Sequence, residues 1–301
     1  NGYRMRYRLY LAAVVCWGAS IAMLASGCDE AVSPILGTEE AFSFYGYFNP
    51  RADTQAIRVY AIDGILKPEQ GQKLDALVTS RNKSTGQTVV WRDSTVAFSN
   101  GTVGHVFYAL FRPEHGVEYT FQAQGSDGRT AYADLIMPAD GATELVSILS
   151  ARSSVIVELH WFGVPRVLRT AATYTVRVPF PDGSDTTTVR VRIPSGQVQQ
   201  IGMDAWKVII LPSSDIGAIY TILGLRPGIN PILLDNIEVS AFVASKNWES
   251  PTGDFDSELL VQPGVFDNVE GGFGFIGSGY NDKFTFELTD KQKQDAGFSL
   301  K

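Results

Sequence analysis

The feature that most constrains this chain is strict alternation of apolar and polar residues. "AFSFYGYF" (41–48), "AIRVYAI" (56–62), "HVFYALF" (105–111), "VEYTFQAQ" (117–124) and "TAYADLIM" (130–137) all repeat with period two. That period puts one set of side chains on each face of a strand, and the runs are rich in aromatic and β-branched residues. "ATYTVRVPF" (172–180), "TTTVRVRI" (186–193), "AWKVIIL" (205–211), "NIEVSAFVA" (236–244) and "KFTFEL" (283–288) continue the pattern. Many short strands with frequent turn signals predict an all-β sandwich or barrel. Ser126-Asp127-Gly128 and Pro181-Asp182-Gly183-Ser184-Asp185 each separate two alternating runs and predict hairpins. Long amphipathic helix patterns are absent. One helical turn is expected at Ser213-Ser214-Asp215, where Ser or Asp can cap.

A chain of 301 residues has room for one large domain or two of about 100–150 residues. "FRPEHGVEYTFQAQ" (111–124) is echoed loosely by "LRPGINPILLDNIEVSAFVA" (225–244). Both resemble the strand–L-x-P-G–strand pattern of fibronectin type III and other immunoglobulin-like sandwiches. The expected organisation is two tandem sandwiches, residues 41–138 and 150–290, joined near "MPADGAT" (137–143).

The N-terminus has its own logic. Arg4, Arg6 and Arg8 surround Met5, the expected true start, and residues 9–23 carry no charge. Leu24, Ala25, Ser26 and Gly27 then lead to Cys28. A positive start, an apolar middle and small residues at the cut form a secretory signal. Its end resembles a bacterial lipobox, with Ala25 where Leu is usual. The resemblance implies removal of residues 1–27, a covalent lipid on Cys28, and residues 28–40 as a tether. The rival is a membrane anchor, since Leu9–Gly27 is uncharged; Gly18, Ser20, Ser26 and Gly27 weaken it, and no basic stop follows. Cys16 lies inside the apolar run as a small apolar residue. With only two cysteines in the chain, a disulfide framework and a cysteine zinc site are excluded.

Net charge is −7, and losing the leader removes three arginines and no acid. The mature body is therefore acidic, no basic cluster lies outside the first eight residues, and nucleic acid is not an expected partner. Asp29 and Glu30, directly after the cysteine, resemble the export signal of surface lipoproteins in Bacteroidota; in enterobacteria, Asp at that position resembles an inner-membrane retention signal.

Chemistry is sparse in the rest. His105, His115 and His160 form no metal-ligand spacing, and no nucleophile elbow is present. "GGFGFIGSG" (271–279) contains G-x-G-x-x-G as Gly272, Gly274 and Gly277. A nucleotide cradle needs a helix after those glycines and a βαβ unit, and neither follows. The segment reads instead as a β-strand whose Phe273 and Phe275 share one face and Ile276 the other. Asp254, Asp256 and Glu258 alternate in "TGDFDSE" (252–258), a spacing that can hold calcium but lacks the full EF-hand pattern. A solvated acidic loop is the preferred reading. Trp91, Trp161, Trp206 and Trp248 could stack on sugars, though each reads more simply as strand packing. Residues 245–282 are the expected ligand surface, with Trp248, Asp254, Asp256 and Glu258 as candidate contacts. No cofactor, metal or nucleotide is expected.

Three short segments carry a further resemblance: Gly116-Val117-Glu118-Tyr119-Thr120, Asp127-Gly128-Arg129-Thr130-Ala131-Tyr132, and Asn268-Val269-Glu270-Gly271-Gly272-Phe273-Gly274. Together they resemble the uncharacterised β-rich lipoproteins of Bacteroidota found beside TonB-dependent receptors. The resemblance implies an outer-membrane lipoprotein, held by its acyl chains, serving as a non-catalytic binding or accessory module beside a nutrient-uptake receptor. A surface adhesion or structural lipoprotein is the alternative, and an envelope hydrolase the third reading. Because Cys28 carries the only thiol at the cut, Cys28→Ala is expected to give an unprocessed or soluble precursor. Membrane fractionation checks this, and a processed, membrane-bound variant overturns the lipobox reading.

Overall fold

A computed structural model describes residues 40–62, 73–97, 103–151, 153–179, 186–195, 197–248 and 267–300. The leader with Cys16 and Cys28, nearly all of the tether, the turn at 181–185, and Asp254, Asp256 and Glu258 lie outside the described residues. The structure is 61% strand and 8% helix, so the all-β class stands. No helix among the described residues is long and apolar enough to cross a membrane.

The first half contributes β1 (Phe42–Phe48), β2 (Thr54–Ala61), β3 (Ala76–Asn82), β4 (Thr88–Val90), β5 (Arg92–Ala97), β6 (Val103–Leu110), β7 (Glu118–Gly125) and β8 (Thr130–Ile136). The second contributes β9 (Ala142–Ala151), β10 (Ser154–Phe162), β11 (Arg166–Pro179), β12 (Thr186–Pro194), β13 (Val198–Gly202), β14 (Ala205–Ile210), β15 (Leu233–Ala244) and β16 (Gly272–Phe286). Two four-stranded sheets, β4-β3-β7-β8 and β13-β14-β10-β9, cover one face of an eight-stranded sheet ordered β12-β11-β15-β16-β1-β2-β6-β5.

Alternation builds each core as expected. In the first, Phe44, Phe48, Ile57, Val59 and Phe107 of the long sheet meet Val78, Tyr119 and Phe121 of the short one. Phe121 lies edge-on to Phe44 and to Trp91, each at 5.1 Å between ring centroids. In the second, Tyr174, Val176, Val191, Ile237 and Val239 meet Val157, Leu159, Trp161, Val208 and Ile210. Each such side chain contributes about 1.5–3 kcal/mol on full burial.

The sandwiches are not two separate beads divided between residues 138 and 150. β16 is fifteen residues long. Gly272–Ser278 pair in parallel with β1, and Gly279–Phe286 pair antiparallel with β15. One strand therefore belongs to both sandwiches, and the domain division expected from local pattern misses it. The glycines make this possible. A Cβ on Gly272 would run into the Phe42 carbonyl oxygen, and one on Gly274 into the Phe44 carbonyl oxygen. Gly274 also sits at φ +103°, where side chains are strained. As expected, Phe275 and Ile276 face opposite ways: Ile276 enters the first core, while Phe275 packs with Phe242 and Trp248 on the other face.

A polar node ties the halves together. Asp282 of β16 accepts from Arg51 Nη1 at 2.5 Å, Thr143 Oγ1 at 2.5 Å and Trp161 Nε1 at 2.9 Å. Burial pushes its carboxyl up, but those hydrogen bonds and the Arg51 charge together outweigh burial and hold its pKa below the usual range. Arg51, from the β1–β2 turn, also reaches Asp140 and lies 4.0 Å over the Tyr280 ring.

The helix α1 (Pro212–Leu223) occurs where a helical turn was expected, but its cap differs. Leu211 is the N-cap residue and supplies no side-chain bond. Ser213 Oγ instead accepts from the Val155 N–H at 2.7 Å, and Asp215 accepts from the Tyr174 hydroxyl, so both side chains brace strands. A second helix, α2 (Asp290–Asp295), starts with a capping box between Thr289 and Gln292.

Adding a methyl group at Gly274 is expected to lower stability by about 3 kcal/mol, from backbone strain and overpacking together. Gly128→Ala, at a turn with φ +85° and open space around it, is expected to lower it by only about 1 kcal/mol. Urea unfolding of both variants checks the contrast; equal losses reject the close-approach account of β16.

Candidate functional site

The face of the eight-stranded sheet turned away from both cores carries the candidate site. The alternation that sends Phe44, Ile57 and Phe107 inward sends Tyr45, Tyr47, Arg58 and Val106 outward. From the second half, Ser240, Phe242 and Arg192 point the same way. They line a groove of about 580 Å³ that is open to solvent and crosses the joint made by β16.

Its floor is aromatic. After β15 the chain turns back, with the Ser245 N–H bonded to the Ser278 carbonyl, and lays the Trp248 ring onto Gly277. Trp248 lies 4.8 Å from Phe242 and 5.5 Å from Phe275, both in edge-to-face geometry. Tyr47 stands edge-on to Phe242 at 5.5 Å and remains partly exposed. The Arg166 guanidinium donates to the Trp248 carbonyl and fixes the turn. The structure thus places Trp248 in the groove, with the residue only 7% exposed. It is a floor element rather than a free stacking platform. Of the expected contacts, only Trp248 can be placed, since Asp254, Asp256 and Glu258 lie outside the described residues.

Its walls are cationic. Arg58, Arg169 and Arg192 line the groove, and among the described residues no Asp or Glu does so. This inverts the sign of a chain whose net charge is −7. Among the described residues, no carboxylate forms an ion pair with Arg169 or Arg192. Arg169 has φ +50° and sits where the β11–β15 register shifts between Leu168 and Ala171. A bulge of this kind re-aims a side chain, and here the guanidinium hangs 5.9 Å over the Phe242 ring. A non-glycine residue in the left-handed region costs roughly 1–2 kcal/mol, and such strain clusters at functional sites. Burial raises the pKa of the Tyr45 hydroxyl, and the nearby charges of Arg169 and Arg58 offset only part of that rise.

Other places are less organised for chemistry. A smaller cavity of about 310 Å³ lies where the halves meet, beside Met137, Pro165 and Lys246. Its Asp134 is already bonded to Lys83 and Thr120. His105 lies 2.8 Å from Asp93 in the first half, His115 reaches the Pro138 carbonyl, and His160 pairs with Glu158. The described residues contain no group of three or more His, Cys, Asp or Glu placed to hold a metal. Trp91 and Trp161 are buried, and Trp206 donates to the Val164 carbonyl, so all three serve packing. The G-x-G-x-x-G segment is the interior of β16, with backbone and rings packed on its glycines.

No protein-family model and no curated protein matches the chain. Among solved structures it is weakly similar to a pullulanase from Anoxybacillus sp. LM18-11, with a TM-score of 0.22 and 10% identity over 67% of this chain. The chain spans 24% of that pullulanase. It is also weakly similar to the titin domains z1z2 in complex with telethonin, with a TM-score of 0.19 and 15% identity over 68% of this chain and 90% of that one.

Sequence reading missed the three arginines. "AIRVYAI" and "VRVRI" do place Arg58 and Arg192 on polar strand faces, but nothing local reveals that those faces are coplanar. Arg169→Gly is expected to leave stability unchanged or raise it by up to about 1 kcal/mol, because glycine relieves the strain. Thermal melts check this, and a loss above about 2 kcal/mol would show that the guanidinium is held there for the fold alone.

Proposed function

We propose that this chain is an acyl-anchored envelope lipoprotein that acts as a binding or accessory module, with its ligand held in the groove on the open face of the long sheet. The groove carries the reading: one concave surface joins the aromatic floor, the charge-inverted wall and a strained arginine. Ligand sites are concave, mostly apolar, and furnished with a few placed polar groups. A binding surface assembled from both sandwiches suits a module that must hold a ligand in a fixed orientation. The anchor rests on Cys28 and the small residues before it. The placement beside a TonB-dependent receptor in the outer membrane rests on the resemblance of the three short segments.

Isolation of the tethered protein from native membranes in mild detergent tests the accessory role. A TonB-dependent receptor is expected to co-purify with the wild type and to be lost with the Cys28→Ala variant. Recovery of the lipoprotein without any receptor overturns the accessory reading in favour of the adhesion or structural one.

A further inference from the structure

We infer that the groove binds an acidic oligosaccharide, with sugar carboxylates on Arg169 and Arg192 and a sugar ring against Tyr47. The inference rests on the proposal that the groove is a ligand site and names what fills it. Its first support is charge. Three guanidiniums line the groove and no acid among the described residues does so, on a chain whose net charge is −7. A guanidinium presents a planar fork that matches a carboxylate with two parallel hydrogen bonds. Arg169 and Arg192 have no carboxylate partner among the described residues, and a neutral ligand would leave those two charges unanswered.

The second support is shape. As lined by the described residues the groove is open to solvent, and its volume is about 580 Å³. A small aryl acid is best held in a closed pocket that buries most of its surface. An oligosaccharide is suited to an open trough, because the hydroxyls on its outer side stay in water. Those on its inner side meet Asn281, Ser240 and the tyrosine hydroxyls. The exposed part of Tyr47 offers a ring face to the apolar C–H side of a sugar.

The third support is orientation. The groove crosses the face of a sheet whose central strands are paired on both sides. A peptide that binds by strand addition needs an open edge with unpaired backbone groups; of the described lining residues that lie on strands, only Arg192 is on an edge strand, β12, and the rest are on strands paired on both sides. The groove's recognition groups are side chains. A long polyanion such as a nucleic acid would meet the net negative charge beyond the groove.

Calorimetric titration tests the inference with three acidic probes: trigalacturonate, trimannuronate and a hyaluronan tetrasaccharide. Cellotriose is the neutral control, and inorganic phosphate and a polyglutamate hexapeptide are the other anions. At least one acidic sugar is expected to bind ten-fold or more tightly than cellotriose and the other anions. That affinity should weaken with added salt. It should fall about ten-fold in Arg192→Gln and in Arg169→Asn, the latter chosen because asparagine tolerates the left-handed backbone. Tyr47→Ala should weaken acidic and neutral sugars alike. Thermal melts of each variant separate lost binding from lost folding. If phosphate or the peptide binds through Arg169 and Arg192 while no acidic sugar does, the sugar assignment is overturned and the groove remains a ligand site. If no probe binds in a manner that depends on these arginines, the inference is rejected, and co-purification decides the accessory role independently.

Discussion

The parallel pairing of β1 with the first half of β16 is the contact on which the rest of the structure depends. Without it there are two sandwiches, each with an exposed central edge. With it there is one eight-stranded sheet carrying both cores on one side. The pairing is a backbone matter, since the Phe42 and Phe44 carbonyl oxygens occupy the space that side chains at 272 and 274 would need. Glycine inside a strand sacrifices packing and chain entropy. Here the loss is offset by ladder hydrogen bonds and by the side chains between the glycines. Ile276 closes the first core below the sheet, and Phe275 anchors the aromatic floor above it.

The groove follows from that continuity. Arg58 and the two tyrosines belong to the first half, whereas Arg169, Arg192 and Phe242 belong to the second. Their common plane exists because β16 hands the sheet from one half to the other. The Arg51–Asp282 node stiffens the joint from the opposite face, where Trp161 and Thr143 also donate to the same carboxylate. A charge with three donors around it in a half-buried setting fixes geometry as well as adding stability.

Much of the fold was legible because alternation is local. The runs at 41–48, 56–62 and 117–124, and residues 172–179 of a fourth, became strands with the predicted side chains inside. The hairpin at Ser126-Asp127-Gly128 formed with Gly128 at positive φ. The short helix was legible in position but not in its cap, because Ser213 and Asp215 had better partners on strands brought close only by folding. The capping box at Thr289–Gln292 carried a readable signal that the helix-poor pattern obscured. The shared strand was not legible, since the pairing of Phe42 with Gly272 is set by tertiary structure. For the same reason the site was only partly visible. Trp248 fell inside the expected surface, but the arginines come from three strands of alternating sequence that look alike until the sheet is assembled.

The order of the strands has a consequence for how the chain acquires its form. The first strand of the body pairs with the last, about 230 residues away. A chain emerging residue by residue can close the local hairpins of its first half early. It cannot complete the sheet that joins the halves until nearly all of it is available. Contacts of such high sequence separation are slow to form and late to reward the chain. Until then the outer edge of β1 stays exposed for pairing with the wrong partner. The architecture that welds two sandwiches into one therefore makes the final segment a latch, and a chain shortened before Gly272 would be left with both halves unjoined.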